Sequence, residues 1–207
     1  MDFSDIDAYL HKVTPKREPV LAAMEKYAKQ NGFPIIGPLV GRFLYQMATL
    51  AKARKILELG SGFGYSAYWF ARAIGSQGRI IMTDMDQANR DRAFKYFEQA
   101  GLDAKFTYHL GDALKIAVNL KGPYDIVLND IDKQDYPATI DIAASLLRPG
   151  GLFITDNVIW SGKVYDGKAR DAATRGIRRF TRMLYADDRF FTTIMPVRDG
   201  ISVAVRV

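Results

Sequence analysis

The chain has no cysteine, so disulfides and thiolate metal sites are excluded. It has two histidines, His11 and His109, far apart in sequence. Zinc normally draws on Cys and His, and a zinc site is not expected. Any metal has to be a hard cation held by oxygen. No apolar run approaches the ~20 residues a membrane-spanning helix requires. The opening "MDFSDIDAYL" carries acidic residues where a secretory leader carries positive charge, and no apolar stretch follows. A cytoplasmic protein is the expectation. There is no repeat and no low-complexity segment. The formal charge of +6 is modest; it suits an anionic partner such as RNA or a phosphate-bearing substrate, and equally a merely soluble surface.

Apolar residues, by contrast, make up 48% of the chain, ample for a core. Their pattern alternates. Strands are expected over 55–60, 79–85, 105–111, 124–130 and 151–157, and helices over 65–74, 87–100, 112–120 and 136–147, the last ended by "RPGG". Strands separated by helices imply βαβ units and a largely parallel sheet. The continuous apolar runs "DIVL" and "GLFI" suit strands covered on both faces. Two further strands, 190–197 and 201–207, are separated by "RDG" alone. So short a link permits only an antiparallel hairpin. The fold class predicted is α/β, a Rossmann-like doubly wound mixed seven-stranded sheet with an antiparallel last strand. Residues 1–50 read differently: helices over 5–13 and 17–30 around Pro15, a turn-rich link over 31–38, and a third helix over 39–53. One domain over 1–207 is expected, with 1–50 a helical N-terminal extension and 51–207 the cofactor-binding and catalytic core.

"ELGSGFGYS" (58–66) places Gly60, Gly62 and Gly64 in a strand-to-helix turn. Glycines there let backbone approach a ligand and present N–H groups at a helix start. The dinucleotide fingerprint wants Gly or Ala where this chain has Tyr65, which counts against NAD. Asp84 ends the second strand, where a carboxylate accepts ribose hydroxyls. Asp112 opens "GDAL", and helix capping is its plainer role. Glu58 is a strand carboxylate that needs a partner if buried. Ligands of doubly wound sheets bind at the carboxyl ends of the strands, and an adenosine-containing ligand is the economical reading.

The stretches "ILELGSGFGYSAYWFARAI", "IIMTDMD", "GDAL", "YDIVLNDIDKQDYP" and "GGLFITDNVIWSGKV" resemble the class I S-adenosylmethionine-dependent methyltransferases. They look most like the catechol and caffeoyl-CoA O-methyltransferase-like family in its small bacterial form, from about residue 34 to the ending "RDGISVAV". The resemblance implies S-adenosylmethionine as cofactor. The cofactor-binding residues expected are Glu58, Gly60, Gly62, Ser66, Asp84, Met85, Asp112, Ala113 and Asp130. Gly60 and Ser66 would hold the methionine part, Asp84 the ribose, and Asp112 or Ala113 would lie by the adenine. A homodimer built through the N-terminal helices is also implied.

"NDIDKQDY" (129–136) puts three aspartates and a lysine behind an apolar strand. That strand ends at Asp130, and the next ends at Asp156 and Asn157. Two carboxylates and an amide oxygen suit Mg²⁺, Mn²⁺ or Ca²⁺, although Asp-Asn at a strand end is also ordinary turn chemistry. The resemblance assigns the metal to Asp130, Asp156 and Asn157. It also places a catalytic lysine at Lys133, acting beside Asp130. A neighbouring divalent cation disfavours the ammonium form, and a neutral amine there accepts a phenol proton. Asp132 and Asp135 read as solvent or capping residues. Asn129 departs from the family pattern, which has an apolar residue there.

The acceptor stays open. Trp160 and Tyr165 can form an aromatic wall or simply pack. On the helix near 171–185, Ile177, Phe180 and Leu184 share one face, and Arg175, Arg178, Arg179 and Arg182 the opposite one. Arginines bind phosphates of RNA or of a CoA thioester, or are just solvated. The reading is a divalent-metal-dependent O-methyltransferase acting on a hydroxyl of a catechol-like small molecule. The alternatives are methylation of a hydroxylated uridine in tRNA and a non-catalytic adenosine-ligand-binding module.

Overall fold

The structure, a computed structural model, describes residues 3–102 and 104–207. Seven strands form one sheet: β1 (Lys55–Leu59), β2 (Arg79–Asp84), β3 (Lys105–Leu110), β4 (Tyr124–Asn129), β5 (Leu147–Thr155), β6 (Phe190–Met195) and β7 (Ile201–Arg206). Their order is β3-β2-β1-β4-β5-β7-β6. β1 to β5 run parallel, while β7 is antiparallel to both β5 and β6. The doubly wound, mixed sheet expected from the sequence is therefore the one found, with β7 as the reversed strand. No helix among the described residues is long and apolar enough to cross a membrane.

The central strands bury both faces, as their unbroken apolar runs require. On one side Ile56, Ile80, Met82, Ile126 and Ile154 pack against α2 (Pro19–Asn31), α3 (Gly37–Leu50), α4 (Tyr65–Ile74) and α5 (Gln87–Gln99). On the other, Leu57, Leu59, Val127 and Phe153 meet α7 (Thr139–Leu146) and α8 (Ala172–Tyr185). Phe180 of α8 sits edge-on to Tyr136 at 5.5 Å and to Phe153 at 5.9 Å. Burying a side chain of that size is worth about 2–3 kcal/mol. The remaining helices are α1 (Phe3–Val13) and the short α6 (Ala113–Ala117).

Element boundaries move for local reasons. α2 starts at Pro19 rather than 17, because Glu18 before the proline is extended. The helix expected over 136–147 begins instead as a 3-10 turn, Lys133–Ala138, before α7 takes over at Thr139. The "RPGG" segment does not simply end that helix: it belongs to β5. The pairing jumps from Tyr124↔Leu147 to Ile126↔Leu152, so these residues bulge out of register. Arg148 in the bulge donates to Asp125 at 2.6 Å and to the Ala51 carbonyl at 3.1 Å.

Tyr65, the bulky residue at the end of the glycine turn, lines the cleft and anchors its hydroxyl on α2. Its hydroxyl donates to Glu25 of α2 at 2.9 Å, and Glu25 also pairs with Arg17. The residue that departs from the dinucleotide fingerprint thus ties α2 to the start of α4.

Candidate active site at the carboxyl ends of the strands

A cleft of about 560 Å³ opens where β1, β2 and β4 end. It is walled on the N-terminal side by Phe33 to Ile36. The turn after β1 runs through left-handed backbone at Gly60 (φ 83°) and Gly64 (φ 84°). A Cβ at Gly60 would lie 2.6 Å from the Asp130 carbonyl oxygen, so only glycine lets the loop pass the end of β4. The loop is bonded to β2: Gly60 N–H donates to Thr83 Oγ1 at 3.2 Å and Gly62 N–H to Asp84 Oδ2 at 3.0 Å. Asp84 Oδ1 accepts from Asp86 N–H at 2.9 Å and from Asn89 at 3.1 Å, which locks the carboxylate in place.

Gly60, Gly62 and Ser66 line this cleft, as do Asp84, Met85, Asp112 and Ala113. Met85 is 76% exposed, an apolar side chain standing open at the rim. Asp112 has the plainer role too: it caps α6 by accepting from Leu114 and Lys115 N–H at 2.9 and 3.1 Å.

Glu58 differs from the rest of the expected cofactor set. It is fully buried behind the cleft wall and is absent from the lining. Burial pushes its carboxyl up to about 7, and the nearby Ser66 and Ser61 hydroxyls pull the other way. Neither carboxyl oxygen has a hydrogen-bond partner, so the serines act as neighbouring dipoles.

Asp130, Lys133, Asp156 and Asn157 converge at one end of the same cleft. Lys133 Nζ donates to Asp130 Oδ1 at 2.8 Å and to the Ile131 carbonyl at 3.3 Å. The ammonium lies 5.4 Å from the Tyr136 ring and 5.8 Å from the Trp160 ring. Asp156 is 2% exposed; its Oδ2 meets Arg198 Nη1 at 3.4 Å, and its Oδ1 has no partner. Burial, then the charge of Asp130, push the Asp156 carboxyl up to about 7 against the pull of Arg198. Burial also pushes Asp130 up, opposed by Lys133. Two carboxylates at neighbouring strand ends, Asp156 buried and Asp130 largely so, call for positive charge beside them.

Several positioning groups were not visible in the sequence reading. Asp199, in the β6–β7 connection, accepts from Asn157 Nδ2 at 3.2 Å and from Ser161 N–H. The Asn157 amide nitrogen is thereby committed, which leaves its oxygen as the atom available to a bound group. Asn157 itself holds a left-handed backbone, φ 59°. Tyr136 donates its hydroxyl to the Asp156 carbonyl at 2.9 Å. Gly176 in the middle of α8 allows the Lys133 turn to sit on that helix, since a Cβ there would lie 2.3 Å from the Lys133 carbonyl oxygen. The signals were faint: a glycine in a helical pattern, and an aspartate in a hairpin turn.

Two sequence readings change. Arg178 does not share the solvated face of α8: it is half-buried and donates to the carbonyls of Lys163, Val164, Asp166 and Ala169, organising that loop. Arg175, Arg179 and Arg182 are exposed as expected. Trp160 stands beside Lys133, but neither it nor Tyr165, which is 80% exposed, lines the cleft, so the two form no joint wall. Asn129, which departs from the family pattern, is fully buried with both amide atoms unpartnered.

Comparison with known proteins agrees with this geometry. A family model described as O-methyltransferase matches residues 11–207. A catechol O-methyltransferase from Niastella koreensis is 35% identical, with 98% of this chain and 97% of that protein covered. The crystal structure of the O-methyltransferase TomG from Streptomyces achromogenes, in complex with SAM, superposes with a TM-score of 0.88 at 29% identity, covering 98% of this chain and 96% of that one. An O-methyltransferase from Bacillus cereus in complex with SAH gives 0.85 at 31% identity, covering 98% and 97%. The chain belongs to the O-methyltransferase family.

Proposed function

We propose that this chain is an S-adenosylmethionine-dependent O-methyltransferase that uses a divalent cation to methylate one hydroxyl of a catechol-like small molecule. The observation that carries the reading is the convergence of Lys133, Asp130, Asp156 and Asn157 at the end of the cleft lined by Gly60 and Asp84.

The cleft residues fit the methyl donor. The Gly60 turn leaves backbone without side chains at the helix start, Asp84 is held rigidly for a ribose, and Met85 stands open at the rim. When bound, S-adenosylmethionine supplies a sulfonium-activated methyl group for displacement by an oxygen nucleophile.

The donor set also fits a hard cation. Among the described residues no three His, Cys, Asp or Glu side chains gather as metal ligands. The set here is two carboxylates and the Asn157 amide oxygen, and the buried Asp156 Oδ1 is without a partner. Asp130, Asp156 and Asn157 would hold Mg²⁺, Mn²⁺ or Ca²⁺. A cation there would supply Lewis acidity that favours the ionised form of an acceptor hydroxyl.

The chain's own groups do the rest. Lys133 Nζ is presented on a 3-10 turn beside Asp130, where in its neutral amine form it can receive the hydroxyl proton. Tyr136 and Asp199 fix the backbone and amide of the Asp156–Asn157 pair. Holding oxygen and methyl in line contributes through orientation.

The test is transfer of labelled methyl from S-adenosylmethionine to catechol, with Mg²⁺ and again with EDTA. Transfer abolished by EDTA is expected. Equal transfer in both conditions would remove the metal from the account, and no transfer despite bound donor would remove the small catechol-like acceptor.

A further inference from the structure

Arg198 has no part in the chemistry above, yet it lines the same cleft. It lies in the short β6–β7 connection with a left-handed backbone, φ 53°. Glycine takes that conformation without strain, and any other residue there is held in it against a cost. The turn is closed by Gly200 N–H donating to the Val197 carbonyl at 3.0 Å, so this geometry belongs to the hairpin. A side chain kept at a glycine-favouring position and aimed into a cleft is a sign of function.

Its surroundings say which. The side chain is 37% accessible and lies against the start of α3: its Cδ and Nε are 3.9 Å from where a Cβ of Gly37 would stand. Of its five N–H donors, Nη1 alone has an acceptor among the described residues, Asp156 Oδ2 at a long 3.4 Å. The Asp130 charge is already met by Lys133 at 2.8 Å. A single guanidinium with donors to spare matches one carboxylate as a two-pronged partner. A phosphate dianion suits the place poorly, because Asp130, Asp132, Asp135 and Asp156 line the same cleft.

We infer that Arg198 is a specificity-determining residue that selects acceptors bearing a carboxylate on, or on a short arm from, the ring that carries the vicinal hydroxyls. This rests on the catechol-type reading of the site and names its substrate class more closely.

The test compares 3,4-dihydroxybenzoate with neutral catechol in the wild-type protein and in Arg198→Ala, Arg198→Gly and Arg198→Lys. The glycine variant relieves the backbone strain and guards against a folding failure. The wild type is expected to show the higher kcat/KM on the acid. The ratio of the two kcat/KM values should fall at least tenfold in the alanine and glycine variants, mainly through KM on the acid, with lysine restoring part of it. A role confined to supporting Asp156 would lower both acceptors together and leave the ratio unchanged, and that result overturns the inference. If the wild type methylated neither acceptor, the catechol-type reading would fail on its own. Calorimetric binding of 3,4-dihydroxybenzoate to the S-adenosylhomocysteine-loaded protein then decides for Arg198. A tenfold weaker acid in Arg198→Ala supports it and equal affinity overturns it.

Discussion

The Asp199 carboxylate takes the Asn157 amide nitrogen at 3.2 Å across 42 residues of sequence. The same carboxylate accepts from the backbone N–H of Ser161, so one residue of the β6–β7 hairpin sets the conformation of the loop after β5. Supports of this kind orient ligands, and their loss typically weakens metal binding by about 10–100-fold. Asp199→Ala is therefore expected to weaken Mn²⁺ binding in that range while S-adenosylhomocysteine binding persists. Mn²⁺ titration checks it; unchanged affinity would show that Asn157 needs no such support.

Lys133→Ala should lower kcat by about 10²–10⁴-fold, the usual worth of a positioned general base. Lys133→Arg should not restore it, because a guanidinium stays protonated. Calorimetry with S-adenosylhomocysteine would confirm that the cleft survives. Near-normal turnover in either variant would end the role assigned to this lysine.

At an exposed helix position, replacing Gly by Ala gains roughly 1 kcal/mol in helix propensity. At Gly176 the opposite is expected, because the added methyl would stand 2.3 Å from the Lys133 carbonyl oxygen and only a backbone shift relieves that. Gly176→Ala should lower both the thermal midpoint and kcat. A raised midpoint with full activity would show that the turn yields freely.

Glu58 sets a pH dependence of stability. Its folded pKa, pushed up by burial to about 7, lies above the unfolded value near 4.3. Between these values the folded chain binds more protons than the unfolded one, so stability falls as pH rises through the window and levels off above it. Glu58→Gln should flatten that fall, an effect on the order of a few kcal/mol. Urea unfolding from pH 4 to 8 measures it, and a decline that persists unchanged in the variant would assign it elsewhere.

The central strands were readable because their apolar runs are continuous and buried on both sides, and the short link between β6 and β7 left β7 no direction but antiparallel. Gly60, Asp84, Lys133, Asp130 and Asp156 were readable because each sits at or just past a strand end. The missed features share one physical origin: they depend on contacts distant in sequence. Nothing near Asp199 shows that it reaches Asn157, and nothing near Arg178 shows that it will gather the carbonyls of the 163–169 loop. The 3-10 turn at Lys133 was hidden for a similar reason, since Pro137 and packing against Gly176 shape it as much as propensity does.

The most direct test of the central claim is Mn²⁺ binding followed by electron paramagnetic resonance in the wild type, Asp130→Ala and Asp156→Ala. The account predicts one bound ion per chain in the wild type and its loss in both variants. A wild type that binds no Mn²⁺, or variants that bind it as well as the wild type, would contradict a metal held by Asp130, Asp156 and Asn157.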